Sequence, residues 1–120
     1  MTALPVAERD FARQVDELLP LFGFQRSYHT YDSRRSHAGF PDCVAVNTRD
    51  GRVVFLELKS SLGRLTLEQA AWLSDLREAG QEAHAIWPRD WDALVRGLQS
   101  GDWSGLQGPP QRRRPTHASA

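Results

Sequence analysis

At 120 residues the chain is long enough to bury one hydrophobic core, and neither a second domain nor a disulfide or metal staple is needed to explain its folding. Its fifteen basic and fifteen acidic residues cancel, so bulk charge does not point to a polyanionic partner and any attraction to phosphates must come from local clustering. The single cysteine, Cys43, excludes an internal disulfide, and the longest aliphatic run, Val53 to Leu56, is far short of a membrane span.

From Val6 to Phe22 the residues Phe11, Val15, Leu18, Leu19 and Phe22 recur at helical spacing, which predicts an amphipathic helix whose last turn Pro20 disturbs before Gly23. Glu8 falls on the apolar stripe near Val15 and Leu19, while Asp10 and Glu17 project from the far side and Asp16 lies at the margin. A carboxylate on a buried face needs a partner. Phe24 to Tyr31 alternates loosely, as a first strand does, and Asp32 to Gly39 reads as a polar loop.

Cys43 to Asn47 and Arg52 to Lys59 flank the break at Thr48-Arg49-Asp50-Gly51 and read together as a β-hairpin. Asp42 stands at its open end, and Glu57-Leu58-Lys59 at the end of the second strand. A two-residue loop at Asp50-Gly51 pairs Asp42 with Lys59, and a four-residue loop from Thr48 pairs Asp42 with Glu57. Both registers put the three side chains on one face. Opposed residues lie roughly 5 Å apart at Cβ and diagonal ones roughly 7 Å, close enough for two carboxylates to share a divalent cation. Cys43, on the opposite strand face, is expected to pack in the core.

After the loop Ser60 to Leu65, Thr66-Leu67-Glu68-Gln69 matches a capping box and starts a helix that runs to Ala79 and closes at Gly80. Glu82 to Trp87 predicts a further strand, Pro88 breaks it, and Trp91, Leu94, Val95 and Leu98 mark a last short helix with Asp90 as its cap. Beyond Ser100 the periodicity dissolves, so the expected division is a domain over 1–100 and a flexible basic tail over 101–120, carrying Arg112, Arg113 and Arg114. The order α-β-β-β-α-β-α gives an α/β sandwich, a mixed sheet of about four strands flanked by helices. Met1 to Arg9 lacks a basic-then-apolar leader pattern, and the expectation is a soluble cytoplasmic protein with no membrane contact.

Glu8 with Phe11, Gly39-Phe40-Pro41-Asp42, Glu57-Leu58-Lys59, Gly63-Arg64-Leu65-Thr66, Glu68-Gln69 and Trp72-Leu73 together resemble the PD-(D/E)xK nuclease superfamily, and within it the small stand-alone VRR-NUC domains of virus-type replication and repair nucleases. An acid-x-lysine alone is a weak signal, whereas the four blocks in this order are a strong one. The resemblance implies a restriction-endonuclease-like fold in which Asp42 and Glu57 ligate a metal with the Leu58 carbonyl. It further implies that Glu8 adds a third carboxylate, directly or through water, that Lys59 positions the attacking water or stabilises charge, and that Gln69 lines the pocket. Small members are similar to Holliday-junction resolvases, which implies a homodimer acting on branched DNA in replication, recombination or repair, in a bacterial or phage-infected host cytoplasm.

The donor set itself, carboxylates and a backbone carbonyl with no cysteine or histidine cluster, suits Mg2+ or Mn2+ rather than zinc. Without metal the acids repel one another, which predicts raised carboxylate pKa values. Arg34, Arg35 and Ser36 in the loop before Asp42, with Arg26, Arg64, His29 and His37, are candidates to grip phosphates. Fourteen of the fifteen basic residues are arginine, whose forks suit phosphate oxygens, although a GC-rich coding sequence gives the same excess. Trp72, Trp87, Trp91 and Trp103 are expected in core or dimer packing. The reading is thus a metal-dependent DNA endonuclease, with a weak or inactive nucleic-acid-binding module of the same fold, or a small phosphate-mimicking partner protein, as alternatives.

Overall fold

The hairpin predicted around Asp50-Gly51 forms the centre of the sheet in the computed structural model, which describes residues 7–30 and 38–109. Strands β1 (Arg26–His29), β2 (Cys43–Asn47), β3 (Arg52–Leu58) and β4 (Glu82–Ile86) lie in that spatial order. The first three are antiparallel, and β4 runs parallel to β3 after a crossover through helix α2 (Leu67–Glu78). Helices α1 (Glu8–Leu18) and α3 (Trp91–Ser100) complete the predicted α/β order.

Cys43 pairs with Leu56 and Asn47 with Arg52, so Thr48 to Gly51 form the four-residue loop, the second of the two predicted registers. Gly51 closes it at φ +67, a conformation that favours glycine. Asn47 fixes the turn: its amide donates to the Phe22 carbonyl at 3.2 Å and to Asp50 at 3.1 Å, and its Oδ1 accepts from the Asp50 amide at 2.9 Å.

Strand alternation divides the sheet. On one face Cys43, Ala45, Val54, Leu56, Leu58 and Ile86 are excluded from solvent and pack with Phe11, Ala12, Val15 and Leu19 from the N-terminal helical segment and Leu94 and Leu98 of α3. Each large aliphatic or aromatic side chain removed from water in this way contributes about 1.5–3 kcal/mol. Cys43 lies in this core as expected, and burial pushes its thiol up to about 12. On the other face Val44, Val46, Val53 and Phe55 are half-buried, and α2 covers the side nearer β4, where Leu73 is buried.

The helix predicted over Val6 to Phe22 changes type at its end. The α-helical part stops at Leu18 and a 3-10 turn, Leu19–Phe22, follows, since Pro20 has no N–H for an α-helical bond. Asp90 departs from its expected role. It makes no side-chain cap on α3. Instead the buried carboxylate accepts from the Trp87 amide at 3.2 Å and from the Gln107 amide at 3.1 Å, tying the segment after α3 to the strand before it.

Of the residues expected as a tail, 101–109 run back along the domain. Trp103 lies against Gly97, where a Cβ would sit 2.2 Å from its ring, and Leu106 packs on the core. Residues 110–120, with Arg112 to Arg114, lie outside the described residues. Trp87 is fully buried and Trp91 meets Phe11 at 6.3 Å, in keeping with tryptophans that pack. Among the described residues no helix is long and apolar enough to cross a membrane.

Candidate metal centre

Asp42 is positioned by the residues that precede it. Gly39 has φ +85 and approaches α2 so closely that a Cβ there would lie 2.7 Å from Glu68, while the Phe40 ring sits edge-on to Phe55 at 6.2 Å and to Trp72 at 5.1 Å. This wedge fastens the strand entry to both β3 and α2. The Thr30 amide then donates to the Asp42 carbonyl at 2.7 Å, and the Leu58 amide to the Asp42 carboxylate at 3.1 Å. Asp42 therefore faces Glu57 across the ladder, as the register requires.

Glu57 and Lys59 follow at alternate positions of β3 and beyond, 3% and 7% exposed. The Lys59 ammonium lies 3.5 Å from Glu57 Oε2 and donates to Gln69 Oε1 at 2.8 Å, and Gln69 Nε2 donates to the same Glu57 oxygen at 3.1 Å. Gln69 Oε1 also accepts from the Thr66 amide at 2.9 Å, and the Gln69 amide donates to Thr66 Oγ1 at 3.1 Å. The capping box and the ion pair between Lys59 and Glu57 are thus joined by one neutral side chain. Each half of the Gln69 amide has a partner of the right polarity, which fixes its orientation.

Glu8 arrives differently from the expectation. The stripe reading put it on the buried face, but Glu8 is exposed. It is the first residue of α1, one turn before the contacts of Phe11 and Ala12, where the helix has passed the edge of the core. From there it overhangs the strand ends. Ligand oxygens of Glu8, Asp42 and Glu57 all lie within 4.8 Å of one another. Oxygens bonded on opposite sides of one Mg2+ or Ca2+ ion are separated by about 4–5 Å, so this all-oxygen set fits a single hard divalent cation.

The electrostatics agree with a cation site. Burial pushes the Asp42 carboxyl up to about 8, with the charge of Glu57 adding to it and the Leu58 amide opposing. Burial likewise raises Glu57 to about 7, against the pull of Lys59. The rise therefore appears at Asp42 and Glu57, with burial rather than the predicted mutual repulsion as its largest cause.

The proposed phosphate contacts divide. Arg26 is exposed on β1 and shares the face of Asp42, since Arg26 pairs with Val46 and Thr30 follows opposite Asp42. Arg64 is exposed in the loop between β3 and α2. His29 pairs with Cys43 on the core face, where burial lowers its pKa against the charges of Asp16 and Glu8. It is not brought to the acids' face. Arg34, Arg35, Ser36 and His37 lie outside the described residues. Tyr28, which sequence reasoning passed over, shares the acids' face, and the two-residue alternation counted back from Thr30 was the signal for it.

A family model described as the VRR-NUC domain matches residues 20–86, the stretch that contains Asp42, Glu57, Lys59 and Gln69 and leaves Glu8 to its N-terminal side. No curated protein and no solved structure matches the chain.

Proposed function

From the premise that the chain belongs to the VRR-NUC family, a PD-(D/E)xK-type nuclease domain, we propose that it is a Mg2+- or Mn2+-dependent DNA endonuclease selective for branched structure. The observation that carries this reading is the meeting of three carboxylates from α1, the entry to β2 and the end of β3 within 4.8 Å, with Lys59 and Gln69 alongside. A binding module gains nothing from clustered acids near phosphates. A phosphodiesterase requires them, because a bound cation lowers the pKa of water and polarises the phosphoryl oxygen.

In this reading Asp42 and Glu57, with the Leu58 carbonyl, hold the ion, and Glu8 joins directly or through water. Lys59 sets an ammonium beside the scissile phosphate to stabilise the charge that develops there. Gln69 restrains both Lys59 and Glu57, so the cation of the protein and the acid it flanks keep a fixed spacing. Arg26 and Arg64, with Arg34, Arg35 and Ser36, contact the phosphates that flank the cut. Two copies in a homodimer would nick two strands symmetrically, as a four-way junction requires. Among the described residues no element is shaped to read base edges, so in this reading selectivity rests on DNA shape.

The test is cleavage of single-stranded, duplex, flap, splayed and four-way DNA at fixed salt with Mg2+, Mn2+ or EDTA, for the unaltered chain and for Asp42→Ala. The expected result is metal-dependent cutting of branched DNA that Asp42→Ala abolishes while binding persists. Equal cutting by Asp42→Ala would place the activity elsewhere, and binding without cutting by the unaltered chain would leave a nucleic-acid-binding module.

A further inference from the structure

The sheet face that carries Asp42 and Glu57 extends across β2 to the edge strand. On β1 this face bears Arg26 and Tyr28, because Arg26 pairs with Val46 and Tyr28 with Val44, two and four residues into the strand from Asp42 in reverse order. Tyr28 is 66% exposed, although an aromatic ring on a sheet ordinarily gains stability by packing on its cross-strand neighbours. Arg26 is exposed beside it, and the half-buried Val44, Val46 and Val53 form the floor. The Phe40 wedge and Trp72 lie on the β3 side of this face, at Phe55, and do not reach the edge strand.

We propose that Tyr28 and Arg26 form a platform for one unpaired nucleotide next to the cut, the Tyr28 ring stacking on its base and the Arg26 guanidinium pairing with a neighbouring phosphate. The proposal rests on the nuclease reading and names a feature of its substrate. Tyr28 stands one strand over and two residues along from Asp42, a backbone separation of about 8 Å at standard strand spacings. A strand whose phosphate sits at the acids therefore brings an adjacent base over the ring. A paired base in a duplex has both faces stacked already, so only an unpaired one takes the tyrosine. The continuity of this face with the acids, and the exposed Arg26 guanidinium at its far end, favour a nucleic-acid strand over a second copy of the chain.

Binding is measured in the whole 120-residue chain carrying Asp42→Asn, which is expected to hold DNA without cutting it, using a fluorescein-labelled duplex and the same duplex with an unpaired arm, at fixed salt. Tyr28→Ala is expected to weaken binding of the armed DNA about tenfold and leave the plain duplex unchanged, with Tyr28→Phe within about twofold of the parent. Arg26→Ala is expected to weaken both and to reduce the salt slope by about one phosphate contact. The platform is overturned if Tyr28→Ala affects both DNAs equally or neither, or if it changes the sedimenting mass, which would assign the face to a second copy. Cutting by the unaltered chain in Mg2+ tests the nuclease reading by a separate readout, so the two can fail independently.

Discussion

At the turn end of the sheet, Arg52 reaches Glu82 through two hydrogen bonds of 2.9 and 2.7 Å and donates two more to the carbonyls of Gly97 and Leu98, both at 2.8 Å. Trp103 adds a third donor to Glu82 at 2.9 Å. There the hydrogen bonds from Arg52 and Trp103 outweigh burial and hold the Glu82 carboxyl below its ordinary value. At the opposite end the described residues offer Asp42 and Glu57 the Leu58 and Asp42 amides, the Lys59 amine and the Gln69 carboxamide, and burial nonetheless drives both carboxyls up. The same sheet thus neutralises its charges with protein groups at one pole and leaves them short of positive charge at the other. Among the described residues the acid cluster is thus the pole with room for added positive charge, as the proposed cation site requires.

The contrast breaks first at the acids. Asp42→Asn is expected to lower metal-dependent cleavage by at least about 10³-fold, and to raise the melting temperature of the metal-free chain, because a neutral amide replaces a buried acid facing Glu57. Calorimetry in EDTA and a cleavage time course check the two signs. If stability fell together with activity, Asp42 would be holding the fold rather than a cation.

Arg52→Ala is expected to do the reverse. It leaves the Glu82 carboxylate with the Trp103 donor but without its charged partner and uncovers carbonyls in the last turn of α3, which should lower the melting temperature by about 10 °C while leaving cleavage at permissive temperature within about twofold. Arg52→Lys keeps the charge but loses the fork and should recover only part of the loss. Thermal melts with matched cleavage assays separate these outcomes.

Gln69 lies where the two kinds of residue meet, since its amide both closes the start of α2 and spaces Lys59 from Glu57. Gln69→Ala should cost about 10–100-fold in cleavage, the usual effect of a partner that orients a metal ligand, with the remaining Thr66 cap holding the helix start. Gln69→Glu would keep the Oε acceptor for the Thr66 amide and Lys59 but set a second carboxylate against Glu57. Its helix content should match the parent in circular dichroism while cleavage falls as far as in Gln69→Ala.

Much of this arrangement was legible in the chain because it is written in local patterns. The capping box at Thr66 to Gln69, the break at Pro20 and the period-two alternation that puts Asp42, Glu57 and Lys59 on one face each depend on residues within a few positions of one another. The hairpin register was open because two loop lengths preserve the same face, and the choice falls to Asn47, whose bond to the distant Phe22 carbonyl no local pattern encodes. Long-range contacts also explain the other departures. Asp90 is drawn from its helix by Gln107, seventeen residues on, Trp103 finds Gly97 and Glu82 from a segment without periodicity, and Glu8 sits exposed because the core ends before the helix does.

The smallest expected effect sharpens the comparison by pH. Folding moves Asp42 from an ordinary 3.8 to about 8 and Glu57 from 4.5 to about 7, so between about pH 4 and 8 these two carboxyls hold more protons in the metal-free folded chain than in the unfolded one. The stability these groups contribute is full below that interval and lost as pH rises through it. His84, which burial depresses to about 4, works in the opposite sense, gaining stability as pH rises past that value toward 6.5. A plain melting curve against pH therefore mixes the two. The difference between Mg2+ and EDTA cancels His84 and isolates the acids, because the cation competes with their protons. At a free ion concentration ten times the dissociation constant measured at pH 8, Mg2+ should raise the melting temperature by about 5 °C at pH 8 and by less than about 1 °C at pH 5. In Asp42→Asn the increment should shrink at pH 8 and lose most of its slope, whereas in Arg52→Ala it should persist on a lower baseline. An Mg2+ increment independent of pH would mean that the ion binds away from these carboxyls.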